Sequence, residues 1–216
     1  MVPYPTVING AHVVLKMLSP TLKNAQMVYE LVQKNSTYLF PFLKEVVTDG
    51  EGVLKALHHL RRADNLRQED DTALYYIFHH GKMVGAIEAL MYPHERELRF
   101  WLDHDAKGKG IMYESVLLME KMLFERNQDR IILGILDSNQ PSLKLAKRLG
   151  YTEDWEGYFE MTYDKFHILR KNILSKGLIN FYNRINDHNF LVTLHFSIEE
   201  PHLLSLHRCQ VLQGIP

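Results

Sequence analysis

Glu97-Leu-Arg-Phe-Trp-Leu102 runs through Asp103-His-Asp-Ala106 and Lys107-Gly-Lys-Gly110 into Ile111-Met-Tyr-Glu-Ser-Val-Leu-Leu-Met-Glu-Lys-Met-Leu123. The first six residues read as a strand. The last stretch spaces Val116, Met119 and Leu123 on one line and Leu118 and Met122 on another, which predicts a helix over Met112–Arg126. Between them Gly108 and Gly110 permit a tight backbone approach, and the first N–H groups of a helix have no internal partner. Strand, glycine turn and helix start together make a natural seat for a phosphate or diphosphate, with Lys107 and Lys109 adding positive charge. A plain glycine-rich connection explains the same residues. Two nucleotide motifs fail here: a third glycine three residues after Gly110 is replaced by Tyr113, and G-x-x-x-x-G-K-[ST] is absent.

Upstream, His12–Leu18 reads as a first strand and Thr21–Lys34 as a helix with Thr21 as cap. The aromatic segment Ser36–Leu43 is broken by Pro41, and a second helix spans Glu51–Ala63 before the charged loop Asp64–Asp71. Ala73–His80 and Lys82–Met91 flank Gly81 and read as a hairpin. Downstream, Arg130–Leu136 has the length and apolarity of a buried strand. Pro141 fits the first turn of a helix and Gly150 its C-terminal stop, and Tyr158–Arg170 reads as one or two strands. This order gives a mixed α/β (α+β) domain with a largely antiparallel front half and crossover helices behind it. We expect one domain over residues 1–171 and a C-terminal extension over 172–216. The extension has a strand-like piece at Phe190–Ile198 and reads as an added hairpin, a dimer arm or a small subdomain.

Composition excludes several classes. The 216 residues are 46% hydrophobic and 24% charged, ordinary for a globular chain. Lys+Arg 25 against Asp+Glu 26 argues against a general nucleic-acid binder or a membrane-surface binder. No apolar run approaches a membrane span, and the first residues have no basic segment followed by an apolar core, so no secretory signal is expected. The single cysteine, Cys209, excludes an intramolecular disulfide framework and a cysteine-built zinc site, which points to a reducing cytoplasm. His58-His59 and His79-His80 lack ligand spacing, so no metal is expected. No G-x-S-x-G elbow supports a serine hydrolase.

Taken together, Glu97-Leu-Arg-Phe-Trp-Leu102 and Lys107-Gly-Lys-Gly-Ile111 resemble the acetyl-CoA signature of the GNAT N-acetyltransferases. Asn139-Gln-Pro-Ser142 and Leu145-Ala-Lys-Arg-Leu-Gly-Tyr151 resemble the N-x-x-S…K-L-G-[FY] block of the RimJ/RimL branch, which acetylates ribosomal-protein N-termini. Asn35-Ser-Thr-Tyr-Leu39 is similar to the stretch after that branch's first helix, and Tyr163-Asp-Lys-Phe-His-Ile-Leu-Arg170 to its closing strand. The resemblance spans about Val13 to Arg170. The family's signature carries Gln or Arg three residues before its first glycine; here that residue is Asp105, which suits a diphosphate only if its side chain turns outward.

The resemblance implies a GNAT fold in which two strands splay to open a slot. Pantetheine would pair with backbone near Phe100, Trp101 and Leu102. The diphosphate would meet the N–H groups over Lys107, Gly108, Lys109, Gly110, Ile111 and Met112. It implies an acetyl-CoA-dependent transfer to a primary amine, a protein N-terminus or a small molecule, by direct attack on the thioester. Glu97 and Glu88 are candidate bases: Glu97 matches the family's glutamate, and Glu88 lies among apolar residues, where an outward-facing strand residue is the alternative. Ser142 is the candidate proton donor to the departing thiolate, with Asn139 holding the pantetheine arm; helix capping is the alternative for both. Lys144, Lys147 and Arg148 are candidates for the 3′-phosphate or a solvated helix face. Met112 and Tyr113 line the slot or pack in the core. Glu69-Asp70-Asp71 attracts a cationic acceptor or forms a solvated turn. Asp105 and the extension also leave open a non-catalytic acyl-CoA-binding module, and the extension a homodimer.

Overall fold

In a computed structural model of the chain, residues 3–41, 43, 52–92, 95–154 and 157–170 are described. The extension, Phe190–Ile198 and Cys209 therefore lie outside the described residues. Residues 1–166 form one compact unit and residues 167–216 a second, of which only 167–170, a piece of helix, are described.

The first unit is built on eight strands in the order β1-β2-β3-β4-β5-β6-β8-β7. They are β1 (Val7–Asn9), β2 (Val13–Lys16), β3 (Thr72–His79), β4 (Lys82–Tyr92), β5 (Glu95–Leu102), β6 (Arg130–Gly134), β7 (Thr152–Glu153) and β8 (Tyr158–Thr162). Every pairing is antiparallel except that of β5 with β6. Four helices are described in full: α1 (Leu22–Leu39), α2 (Val53–Gln68), α3 (Ile111–Phe124) and α4 (Gln140–Leu149). The expected mixed α/β architecture is the one observed.

Local chemistry accounts for most of the boundaries. Thr21 caps α1, its Oγ1 accepting from the Asn24 N–H at 3.2 Å. His80 and Gly81 both take positive φ, +48° and +75°, the backbone of a tight primed hairpin turn joining β3 to β4. Asn139 caps α4, Pro141 lies in its first turn, and Gly150 ends it at φ +89°. Gly85 is required for packing: a Cβ there would lie 2.3 Å from the Trp101 carbonyl oxygen on β5.

The sheet separates two helical layers. Tyr76, Ala86 and Trp101 stand in one cross-strand row and pack under Ala25, Val28 and Val32 of α1 and Ala56, Leu57 and Leu60 of α2. On the other face α3 packs against β2, β4 and β5, with Val116, Met119 and Leu123 fully buried. Burying such side chains contributes on the order of 1.5–3 kcal/mol each relative to exposure.

Three elements differ from the sequence reading. Helix α1 continues to Leu39 through the segment expected to leave it, because Val32, Asn35 and Leu39 prolong its buried stripe and no breaker comes before Pro41. Helix α2 runs to Gln68, taking in the larger part of the expected charged loop. After β8, residues 163–166 are helical rather than strand; Thr162 Oγ1 accepts the Lys165 N–H at 3.4 Å, the pattern of a helix start. The closing strand is Tyr158–Thr162. Strand β1 and the two-residue β7 are further additions, the β1–β2 loop being tied to α3 where the His12 N–H donates to Glu114 Oε1 at 2.9 Å.

Candidate active site

The parallel pairing of β5 with β6 is the geometric origin of the site. It has only two rungs, Arg96↔Ile131 and Glu97↔Ile132, after which the strands part. From Leu98 onward that edge of β5 faces a cleft of about 580 Å³, walled on the other side by Leu133, Gly134 and Ile135 and by the start of α4. Backbone amides along such an edge can pair with an extended ligand as a further strand would. Phe100, Trp101 and Leu102 all line the cleft.

The glycine turn closes one end. Gly108 and Gly110 both have φ +75°, and nothing lies within 4 Å of the position a Cβ would take at either, so the backbone is open to a ligand. Gly110 is the N-cap of α3 and supplies no side-chain acceptor, which leaves the first N–H groups of the helix and its positive dipole end aimed outward. Lys107, Gly108, Gly110, Ile111 and Met112 line the cleft. Lys109 does not: its Nζ donates to the Asp105 carbonyl oxygen at 2.9 Å, bracing the loop. Asp105 is turned away from the cleft, its side chain 73% exposed and bridged to Lys34 at 2.6 Å. The acidic residue in the signature thus faces outward.

Glu97 sits where the strands part. Its side chain is 16% exposed and lines the cleft, and Arg99 Nε donates to its Oε1 at 3.1 Å. The same oxygen is 3.8 Å from where a Gly134 Cβ would be, which puts the carboxylate beside β6 at ordinary contact distance. Glu88 lies elsewhere. It faces Arg99 across the β4–β5 ladder and accepts from Thr72 Oγ1 at 3.1 Å. It borders a second, smaller cavity of about 210 Å³ between the sheet and α1 and α2, not the main cleft. Arg99, Phe100 and Trp101 border both cavities, so the two spaces adjoin along β5. Tyr76 borders the second as well, and burial followed by the nearby Glu88 charge pushes its phenol well above the ordinary value.

At the start of α4, Asn139 and Ser142 both line the cleft. Asn139 Oδ1 also accepts the Ser142 N–H at 3.4 Å, so Asn139 is the helix cap while the Ser142 side chain stays available to the cleft. Of the candidate phosphate cations on α4, Lys144 and Arg148 border the cleft and Lys147 does not. Arg148 stacks over the Tyr113 ring, 4.3 Å from its centroid. Tyr113 and Met112 are thus wall residues, not core. The acidic group at the end of α2 lies outside both cavities, with Asp70 paired to Arg126 at 3.0 Å. Sequence reasoning overlooked Arg99 and Tyr38. The alternation Glu97-x-Arg99 on one strand face was a signal for the first; nothing in the pattern marked the second.

Residues 28–151 match the acetyltransferase (GNAT) family, and the chain belongs to that family. No protein of curated function matches it in sequence. Among solved structures it is similar to RimL, a ribosomal L7/L12 alpha-N-protein acetyltransferase in complex with coenzyme A. The identity is 20% and the TM-score 0.66, covering 74% of this chain and 99% of that one. It is also similar to RimJ of Mycobacterium smegmatis in complex with a CoA-disulfide, at 14% identity and TM-score 0.63, covering 71% of this chain and 83% of that one. The Salmonella typhimurium acetyltransferase that modifies the N-terminal serine of ribosomal protein L7/L12 matches at 20% identity and TM-score 0.62, covering 72% and 98%. The shared fold is therefore that of the RimL- and RimJ-type acetyltransferases. No helix among the described residues is long and apolar enough to cross a membrane.

Proposed function

We propose that the chain is an acetyl-CoA-dependent N-acetyltransferase acting on a primary amine, with a protein N-terminus of the ribosomal kind as acceptor. One observation carries this reading: a single cleft brings together the parted edge of β5, an uncapped helix start behind two open glycines, the Glu97 carboxylate and Ser142. These features fit acetyl-CoA, whose diphosphate suits the turn and whose amide-bearing arm suits the strand edge. The acceptor reading is supported by the RimL structures and by the second cavity, which opens beside β5 under α1 and α2. Such an acceptor belongs to the cytoplasm.

The bound thioester supplies the activated acyl carbon. An α-amine has a pKa near 8, so a modest share is already neutral and a carboxylate suffices to take its proton, directly or through one water. Glu97, on the cleft wall where the strands part, takes this proton, and Arg99 Nε donates to its carboxylate. Edge N–H groups of β5 past Glu97 are available to stabilise the oxyanion. Ser142 donates toward the departing sulfur, its place at the start of α4 held by Asn139. Lys107 and the N-terminal amides of α3 hold the diphosphate; Lys144 and Arg148 are nearest for the 3′-phosphate. The route through these groups uses no metal.

The test is release of CoA thiol from acetyl-CoA with a panel of N-terminal peptides and small amines. We expect turnover with at least one peptide. Ser142→Ala should lower kcat by about 10–100-fold, the scale of a lost proton donor, with little change in acetyl-CoA affinity. Full turnover in Ser142→Ala removes that assignment, and binding without turnover across the panel reduces the chain to a non-catalytic acyl-CoA module.

A further inference from the structure

The last turns of α1 lie against the loop that leads into the glycine turn, and three residues there hold it. Lys34 Nζ donates to Asp103 Oδ2 at 2.7 Å and to Asp105 Oδ2 at 2.6 Å. Asn35, 3% exposed, accepts the backbone N–H of His104 on Oδ1 at 3.0 Å and donates from Nδ2 to the Leu31 carbonyl at 2.9 Å. Tyr38, one turn beyond Lys34, carries the Lys107 ammonium over its ring, 3.4 Å from the centroid, and meets the His104 ring edge-on at 6.0 Å. Lys34 and Tyr38 are four residues apart and share a helix face.

An isolated surface ion pair contributes little. Here one ammonium joins Asp103, the cap of the 3-10 turn His104–Ala106, to Asp105 within it, while a buried amide pins the N–H between them. Beyond this turn the backbone runs through two glycines with nothing packed where their Cβ atoms would be, and such a segment has much conformational entropy to lose on binding. Tyr38 and Lys107 both line the main cleft, so the ring holds the cation at the cleft wall.

We propose that Lys34 and Tyr38 are positioning residues that pre-order the diphosphate-binding turn: Lys34 acts through Asp103 and Asp105, and Tyr38 through Lys107. The assignment rests on the acetyl-CoA reading above and deepens it. It also gives Asp105 a role: its charge is matched by Lys34 and fixes the turn from outside the cleft. The acceptor-side helix then helps set affinity for the donor.

The test uses the full chain, with calorimetric affinity for CoA and competition against CoA by two fragments, 3′-phosphoadenosine 5′-diphosphate and pantetheine. In Lys34→Met and Tyr38→Leu, CoA and the diphosphate fragment should each bind about 5–20-fold more weakly, with pantetheine within about twofold. Tyr38→Phe keeps the ring face for Lys107 and should bind CoA like the wild type. Cooperative melting well above the assay temperature keeps the variants comparable. Unchanged CoA affinity in both variants, or equal loss for both fragments, overturns the positioning role while leaving the acetyl-CoA reading intact. Absence of CoA binding by the wild type overturns both.

Discussion

Glu97 carries the sharpest chemical expectation because it alone of the two candidate carboxylates borders the main cleft. Glu97→Gln keeps the shape and the contact with Arg99 but cannot accept a proton, so kcat should fall about 100-fold with acetyl-CoA affinity nearly unchanged. Glu88→Gln should have a much smaller effect; the reverse order in a thiol-release assay would move the base to Glu88. Asp103 sets a pH dependence. Burial alone raises its carboxyl, but hydrogen bonds from Lys34, Asn35 and the Asp105 amide outweigh this and hold it below the ordinary 3.8. A depressed acid stabilises the fold above its unfolded pKa, and the contribution is lost as pH falls through the folded value. Lys34 is raised above 10.5, chiefly by its bond to Asp103, so its share persists until alkaline pH. The melting-temperature gap between wild type and Lys34→Met should therefore be flat from about pH 5 to 9 and close below about pH 4. A gap that widens in acid would contradict this. At this scale the sequence was informative where a residue's role is local, as for Thr21, Asn139 and Gly150. It was silent on Tyr38 and Lys34, whose partners Asp103, His104, Asp105 and Lys107 all lie on the far side of the hairpin and β5 in the chain.

At the level of elements, the turn between β5 and α3 depends on two left-handed glycines. Alanine at Gly110 meets no neighbouring atom, yet φ +75° disfavours it, so Gly110→Ala should cost about 1 kcal/mol. In a chain of this size that lowers the melting temperature by about 2–4 °C. An unchanged or higher melting temperature would mean the turn relaxes away from the geometry described. The strand, turn and helix were legible from residues 97–123 because their periods switch sharply at the glycines. The extent of α1 was not: Ser36-Thr37 and the aromatics that follow have modest helix propensity, and tertiary burial of Val32, Asn35 and Leu39 overrides it. Residues 163–166 misread for the converse reason, since a short apolar-polar alternation does not distinguish a strand from the first turn of a helix.

For the first unit taken whole, the decisive feature is a sheet that changes from antiparallel to parallel at one place and opens there. Periodicity gave the elements in order, but a two-rung pairing leaves no mark in sequence; only the resemblance to the GNAT signature pointed to a splay. The sheet brings the main cleft and the smaller cavity together along Arg99–Trp101. The central claim is that the main cleft grips coenzyme A by the amides behind Gly108 and Gly110. Titration calorimetry of acetyl-CoA into the full chain, beside Gly110→Asp, tests it most directly. Aspartate tolerates the left-handed backbone but sets a negative charge against the diphosphate. The account predicts one-to-one binding by the wild type that weakens at least about 30-fold in the variant, roughly 2 kcal/mol. No heat of binding in the wild type, or equal affinity in both proteins, would contradict it.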